Sequence, residues 1–527
     1  MFEPVIFSTL MVYGDELDDF ANCVVGEPGS PKHARLNYLM HLHFHCRLLP
    51  YRIDEFNKEE PSNTVRIDNL RFEDQIMGLF AVLAKWDGPG ENAKLLLELS
   101  AASSGDTFHK VSNFRLNEYY RYGRGEETHH RPNCDIPLLP HSGVPQDVSD
   151  SVDDPLPTRR MAGISKDGFG RLGREWQWHA FHTKDTPSIP IVRGLTVSLR
   201  FHRVISHTFL TAMILTKLPN LKDIRIEQWR CLDLKGTMAG ISLEDSPMIK
   251  SLRSLRIYYE PTILRGRPED DILTAEQEVL RDNHFLDKFV RATRHLKVLA
   301  LTRPVTATEM FLMAKYQCPK QCWADLYKGP YFYPSLIKVA LWEPGLSEEH
   351  KDTTVALMAA GRMAVQMPRL RIMELWNMEE PYIFRYEATP CTSTITMLAP
   401  YNPRPAITTA CFDLWEAAAN NHYRSRTRKL EINACEVDSQ LDAGNRACVV
   451  SFLRRLKLCN EIIDPRSLCQ LEVLERNAFN MHGLGDPLEQ AGEDDQESME
   501  TNEELSDTAA NIEGAADLAV SDDADSS

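Results

Sequence analysis

The sequence predicts an α/β fold: an irregular leucine-rich-repeat-like solenoid, a horseshoe with parallel inner strands and outer helices. Three observations predict it. One short apolar pattern recurs along the chain, amphipathic helical stretches stand between its copies, and prolines mark the passage into several of them.

The pattern is apolar, two residues, apolar, one residue, apolar. It occurs as Leu221-x-x-Ile224-x-Ile226, Leu252-x-x-Leu255-x-Ile257 and Leu296-x-x-Leu299-x-Leu301. It continues as Leu336-x-x-Val339-x-Leu341, Leu370-x-x-Met373-x-Leu375 and Leu453-x-x-Leu456-x-Leu458, with a weaker copy at Thr427, Leu430 and Ile432. Earlier candidates are Leu39-x-x-Leu42-x-Phe44, Val192-x-x-Leu195-x-Val197 and the alternation Leu95, Leu97, Leu99. The last two apolar positions are two apart and so share one face of a strand, while the first is the turn into it. Helices are expected at His207–Leu218, Ala275–Thr293, Thr354–Gln366 and Phe412–His422. Pro219, Pro334 and Pro368 follow where a missing N–H costs least. One copy alone is uninformative, because Leu-x-x-Leu-x-Leu is common on amphipathic helices. The ordered series, 26 to 57 residues apart, predicts about seven to ten irregular units between residues 36 and 470.

Around that body the boundaries follow composition. Residues 1–30 read as an N-terminal segment and 31–476 as the solenoid, interrupted at about 122–190 by a mobile insertion rich in Pro, Gly, Asp and Arg. Trp176 and Trp178 are expected to anchor the chain after it. From Asn477 to Ser527 there are fifteen Asp or Glu and no Lys or Arg, so only −2 of the net charge of −17 belongs to residues 1–476. The tail is predicted to be disordered, with a solubilising role or one in partner contacts. The near-neutral body shows no basic stripe, which excludes nucleic acid as the expected partner. No apolar run is long enough for a membrane span and no basic segment precedes the N-terminal apolar patch, so an intracellular protein is expected, cytoplasmic or nuclear. The twelve scattered cysteines fit reduced thiols. Cys318 and Cys322 are close-spaced, but no second pair follows at zinc-site spacing.

A search for chemistry ends without catalytic, cofactor or metal residues. His41, His43 and His45 alternate with Leu42 and Phe44, which suit a core face; the histidines are therefore expected at a solvated rim. His129-His130 has no companion acid at useful spacing, and Gly168, Gly170 and Gly173 neither follow a strand nor open a helix. A nucleophile elbow, a His-Glu-x-x-His pair and a P-loop are all lacking. A non-enzymatic, protein-binding role is the expectation; the remaining alternative is an enzyme with an unfamiliar site, which nothing in the residues recommends.

In a horseshoe the residues alternating with the apolar strand positions face the concave side. Those rows are Asp223, Arg225, Glu227; Ser254, Arg256, Tyr258; Val298, Ala300, Thr302; Lys338, Ala340, Trp342; Ile372, Glu374, Trp376; and Arg455, Lys457, Cys459. Large aromatics and Arg make binding hot spots, so Arg225, Arg256, Tyr258, Lys338, Trp342, Glu374 and Trp376 are the predicted protein-binding residues. On that expectation Trp342→Ala or Trp376→Ala costs about 2 kcal/mol of binding and leaves the fold intact. The alternative is that these aromatics are packed as core.

Several segments resemble a fungal family of F-box-associated proteins of unknown function, a likeness that covers most of residues 15–476. They include Leu95-Leu-Leu-Glu-Leu-Ser-Ala-Ala-Ser-Ser104, Leu218-Pro-Asn-Leu-Lys-Asp-Ile-Arg-Ile226 with Trp229-Arg230, and Met367-Pro-Arg-Leu-Arg-Ile-Met-Glu-Leu-Trp-Asn377 with Phe384-Arg-Tyr386. Leu453-Arg-Arg-Leu-Lys-Leu-Cys-Asn460 with Ile463-Asp-Pro-Arg-Ser-Leu468 looks like that family's last strand and exit. The resemblance implies repeats that hold a substrate, joined in many members to an F-box that docks on the Skp-type adaptor of a cullin ubiquitin ligase. This sequence shows no F-box, and its first residues resemble the stretch that comes after the F-box in such members. A Skp-type adaptor is therefore expected only if an F-box lies upstream; otherwise the chain is a stand-alone scaffold.

Overall fold

The computed structural model describes residues 7–27, 29–50, 62–86, 95–103, 187–199, 216–228, 251–259, 283–302, 305–317, 331–378, 380–423, 430–436 and 449–472. They belong to one compact unit, Met1–Ala478; a second, Phe479–Ser527, lies outside the described residues, as do most of the expected insertion, Trp176, Trp178, Cys318 and Cys322.

Twelve strands form a single sheet in strict chain order, mixed α/β and open, with the first and last strands at its ends. They are β1 Thr9–Tyr13, β2 His41–Arg47, β3 Leu95–Ala102, β4 Val192–Val197, β5 Asp223–Gln228 and β6 Ser254–Tyr259. Then come β7 Val298–Leu301, β8 Lys338–Trp342, β9 Ile372–Asn377, β10 Tyr382–Ala388, β11 Ser393–Ala399 and β12 Leu430–Glu436. Segment 1–30, expected to lie before the repeats, supplies β1, which pairs in parallel with β2.

Two apolar rows cross the whole sheet on one face. Leu10, Leu42, Leu97, Leu195, Ile224, Leu255, Leu299, Val339, Met373, Tyr386, Ile395 and Ile432 stand in register, and Val12, Phe44, Leu99, Val197, Ile226, Ile257, Leu301, Leu341, Leu375, Phe384, Met397 and Ala434 form the second row. From β2 to β9 these are the last two apolar positions of the recurring pattern; on β12 the weaker copy is shifted, with Ile432 in a row and Leu430 opposite Ser393. The pattern's first position (Leu221, Leu252, Leu296, Leu336, Leu370) is buried in the same core just before each strand. Each such side chain contributes about 1.5–3 kcal/mol on burial.

The helices that cover this face are α1 Leu17–Val24, α2 Pro31–Tyr38, α3 Ser62–Leu83, α4 Asn283–Ala292, α5 Ala307–Gln317, α6 His350–Val365 and α7 Thr409–Tyr423. Three expected helices are found as α4, α6 and α7; the one at His207–Leu218 lies almost wholly outside the described residues. α3 is an addition to the expected set, although Phe72, Ile76, Leu79 and Leu83 share one apolar face of it and are buried on the sheet. α5 begins with a reciprocal cap: the Glu309 N–H donates to Thr306 Oγ1 at 3.1 Å, and the Thr306 N–H to Glu309 Oε2 at 3.1 Å. Gly361 lets α6 approach α7, since a Cβ there would lie 3.1 Å from Trp415 Nε1.

Two expectations are corrected. The strands are not all parallel: β9–β10 and β10–β11 are antiparallel. The connections 378–381 and 389–392 are four residues each, whereas a parallel partner needs a crossover of roughly a dozen or more. The pattern at Leu453, Leu456 and Leu458 is no strand. It forms the end of α8 (Val449–Leu453), a turn, and the start of α9 (Cys459–Ile462), and it lies on the opposite face of the sheet from α1–α7.

Candidate functional site: the polar face of the sheet

The face opposite the apolar rows carries polar and aromatic side chains in register. One row runs His43, Glu98, Thr196, Arg225, Arg256, Ala300, Ala340, Glu374, Arg385; Glu227 and Tyr258 are neighbours in the next, as are Trp342, Trp376 and Ile383. All seven side chains expected at a partner are on this face. The structure also shows what lies over them: the chain's own residues 449–472, here called the clasp.

The clasp is held from β10 back to β3. Arg385 Nη2 donates to the Arg455 carbonyl at 2.6 Å, and Lys457 Nζ pairs with Glu387 at 2.6 Å. Glu374 accepts the N–H groups of Lys457 (3.0 Å) and Leu458 (2.7 Å), and Arg385 Nε at 2.5 Å. Glu461 receives Arg256 Nε and Nη2 at 2.8 and 2.5 Å and Lys338 Nζ at 2.6 Å. Arg225 Nη2 donates to the Asn460 carbonyl at 2.5 Å, and the Asp464 N–H donates to Glu227 at 2.5 Å. The Leu199 N–H donates to Ser467 Oγ, and Arg466 Nη1 lies 2.6 Å from Glu98 Oε2. Beneath these bonds Phe452, Leu453, Leu456, Leu458, Cys459 and Ile462 form a second apolar core with Tyr258, Ala300, Ala340, Trp342 and Trp376. Tyr258 and Trp376 are fully buried and Trp342 nearly so. This places the expected hot-spot aromatics in packed interior rather than on open surface, because a distant C-terminal segment covers them.

Charge on this face is set by the clasp. Burial alone would raise the Glu461 carboxyl, but Arg256 and Lys338 outweigh it and hold it below the ordinary carboxylate range. Glu227 goes the other way. Burial lifts it to about 7, against the pull of Arg225 and with a further push from Asp464. A carboxyl raised in the folded state contributes stability that is full below its unfolded value and lost as pH rises through the folded one. The unfolding midpoint is therefore expected to fall from about pH 4.5 to about pH 7 and to level off above it, and Glu227→Gln to flatten that slope. A wild-type midpoint constant across the window, measured by thermal unfolding, would contradict it.

At the β1–β3 end the histidines depart from expectation. Alternation does place them opposite Leu42 and Phe44, but His43 and His45 are buried, not solvated. Ser100 Oγ lies 2.6 Å from His43 Nε2 and 2.8 Å from His45 Nδ1, so one ring accepts the hydroxyl proton and the other donates. His41 Nε2 is 3.0 Å from Glu98 Oε2. Among the described residues no group of three or more His, Cys, Asp or Glu is placed to hold a metal ion. None of the described helices is long and apolar enough to cross a membrane.

Sequence reasoning placed Glu227 on this face, and missed Glu98, Arg385, Glu461, Asp464 and Arg466 as partners in this network. Arg385 and Glu98 carry a local signal, each being a charge at an alternate position between apolar strand residues. Arg455, Lys457 and Cys459, expected as a sixth concave row, belong instead to the layer above the face, where Cys459 packs into the second core and Lys457 reaches Glu387.

The model of a family of unknown function (DUF6546) matches residues 246–464, a stretch that includes β6–β12 and the clasp as far as Asp464. No curated protein and no solved structure matches the chain. Over those residues the chain is similar to an uncharacterised family.

Proposed function

We propose that the chain is an intracellular, non-enzymatic protein-interaction module. In this reading the sheet is the inner wall of an irregular leucine-rich-type horseshoe, and its polar and aromatic face recognises polypeptide segments. The observation that carries the proposal is the clasp. The face holds a peptide segment by its main chain, through Arg225, Arg385, Glu227 and Glu374, and by its carboxylates and apolar side chains. A surface that bonds both the backbone and selected side chains of a segment has the properties of a peptide receptor. A substrate-receptor role in a cullin-type ligase follows only if an F-box is joined to the chain, and an in-frame F-box in the upstream genomic sequence is its test.

The recognition reading is tested with full-length protein carrying Leu456→Ala, Leu458→Ala and Ile462→Ala, which loosens the clasp. A fluorescent peptide of residues 449–472 should bind this variant saturably in anisotropy titrations and bind the wild type far more weakly. Failure of a cooperatively folded variant to bind the peptide would overturn the reading. So would loss of cooperative unfolding in the variant, which would make the clasp ordinary core.

A further inference from the structure

We infer that the groove between the Arg225–Arg256 pair and the Glu374–Arg385 pair reads a carboxylate on a short helical turn, and that the partner is an amphipathic acidic segment of which Glu461 is the internal copy. The inference rests on the inner-face reading above and names the chemistry of its ligand.

Arg225 and Arg256 are direct cross-strand partners on β5 and β6. Like charges opposite one another destabilise a sheet unless an anion lies between or above them. Next to Arg256 in the same row the side chains shrink to Ala300 and Ala340, before Glu374 and Arg385 raise the far wall. The two alanines make a floor low enough for a helical turn, and α9 fills it, with Cys459 and Ile462 in the apolar cluster that includes both.

Glu461 sits on that turn with three charge-assisted donors, two from Arg256 on one oxygen and Lys338 on the other. Arg225 takes the carbonyl just before it and lies 3.8 Å from the Asp464 carboxylate. Asp223, 3.9 Å from Arg256, is the sheet's own acid beside that arginine and keeps about two-fifths of its side chain exposed. The other charges facing the groove, Glu227, Glu374 and Arg385, are engaged with clasp main chain. Lys338 keeps two-fifths of its side chain exposed, so the carboxylate site opens to solvent on the β8 side. Upstream, Phe452, Leu456 and Leu458 occupy the aromatic end at Trp342 and Trp376. The ligand class is therefore a segment of the form Leu-x-Leu-x-x-Glu-x-x-Asp, entering as a turn of helix with its acidic end over β5 and β6.

The clasp-loosened full-length chain is titrated with three labelled peptides of residues 449–472: native, Glu461→Gln and Glu461→Lys. The Gln peptide should bind about tenfold more weakly and the Lys peptide about a hundredfold or more. Adding Arg256→Glu and Lys338→Glu to the chain should reverse the order of the native and Lys peptides. Equal binding of the native and Lys peptides would overturn the carboxylate site while leaving a peptide-binding face in place. Absence of binding by all three would overturn both readings. If the wild-type chain dimerises in light scattering and Glu461→Lys abolishes it, the occupant is a second copy's clasp, and the separate partner is refuted.

Discussion

Replacing Trp376 with alanine should lower the unfolding free energy by about 3–5 kcal/mol, the range for truncating a large buried aromatic. The indole is fully buried on the polar face of the sheet. Trp342 lies beside it across one strand pair and Ile383 across the other, and the Phe452 ring of the clasp stands over it at 6.2 Å between centroids. The rigid sheet below and the clasp above leave little means of closing the cavity, which keeps the cost at the upper end for this type of change. Trp342→Ala should cost less, because Trp342 sits at the margin of the same cluster with 9% exposure. Denaturant unfolding of both variants tests the ranking. A Trp376→Ala protein with wild-type stability would mean that the clasp does not pack on the sheet as described.

A large loss of stability at Trp376 also separates core from hot spot, a distinction beyond the reach of sequence patterns. Alternation along a strand is a local property, and it puts Arg225, Arg256, Tyr258, Lys338, Trp342, Glu374 and Trp376 on one face correctly, just as it puts Leu42 and Phe44 opposite His43. What covers a face is not local. Arg256 and Glu461 are 205 residues apart, and nothing in the period-2 pattern of β6 points to residue 461. The apolar core on the opposite face is legible for the opposite reason: the copies on β2 to β9 contribute their own apolar residues to the same two rows. The last copy fails because its spacing is degenerate. Leu453, Leu456 and Leu458 serve a helix end and turn as well as they would a strand, and only the polar face beneath, with its alanine floor at Ala300 and Ala340, selects between them. The hairpin β10–β11 escapes the repeat pattern although Phe384, Tyr386, Ile395 and Met397 alternate cleanly. A repeat presumes a crossover before every strand, and the four-residue connections contradict it.

The second large effect is expected at Glu374. Its carboxylate is wholly buried and accepts three hydrogen bonds, from Arg385 Nε and from the main-chain N–H groups of Lys457 and Leu458. Glu374→Ala removes all three at once. It leaves the nearly buried Arg385 guanidinium with only the Arg455 carbonyl, and deprives two clasp N–H groups of their acceptor. Breaking a buried ion pair from one side costs about 3–5 kcal/mol, mostly through the charge left behind. Glu374→Gln keeps the shape and an acceptor oxygen but loses the charge, so its cost should be smaller. Adding Arg385→Met to Glu374→Ala should recover part of the loss by removing the stranded guanidinium, yet not all of it, because the two N–H groups stay unpaired. Hydrogen exchange resolves the pieces. In Glu374→Ala the amides of Lys457 and Leu458 should exchange well before the amides of β5 to β9, marking release of the clasp ahead of global unfolding. If those amides stay protected and the unfolding midpoint does not move, Glu374 is not what holds the clasp to β9.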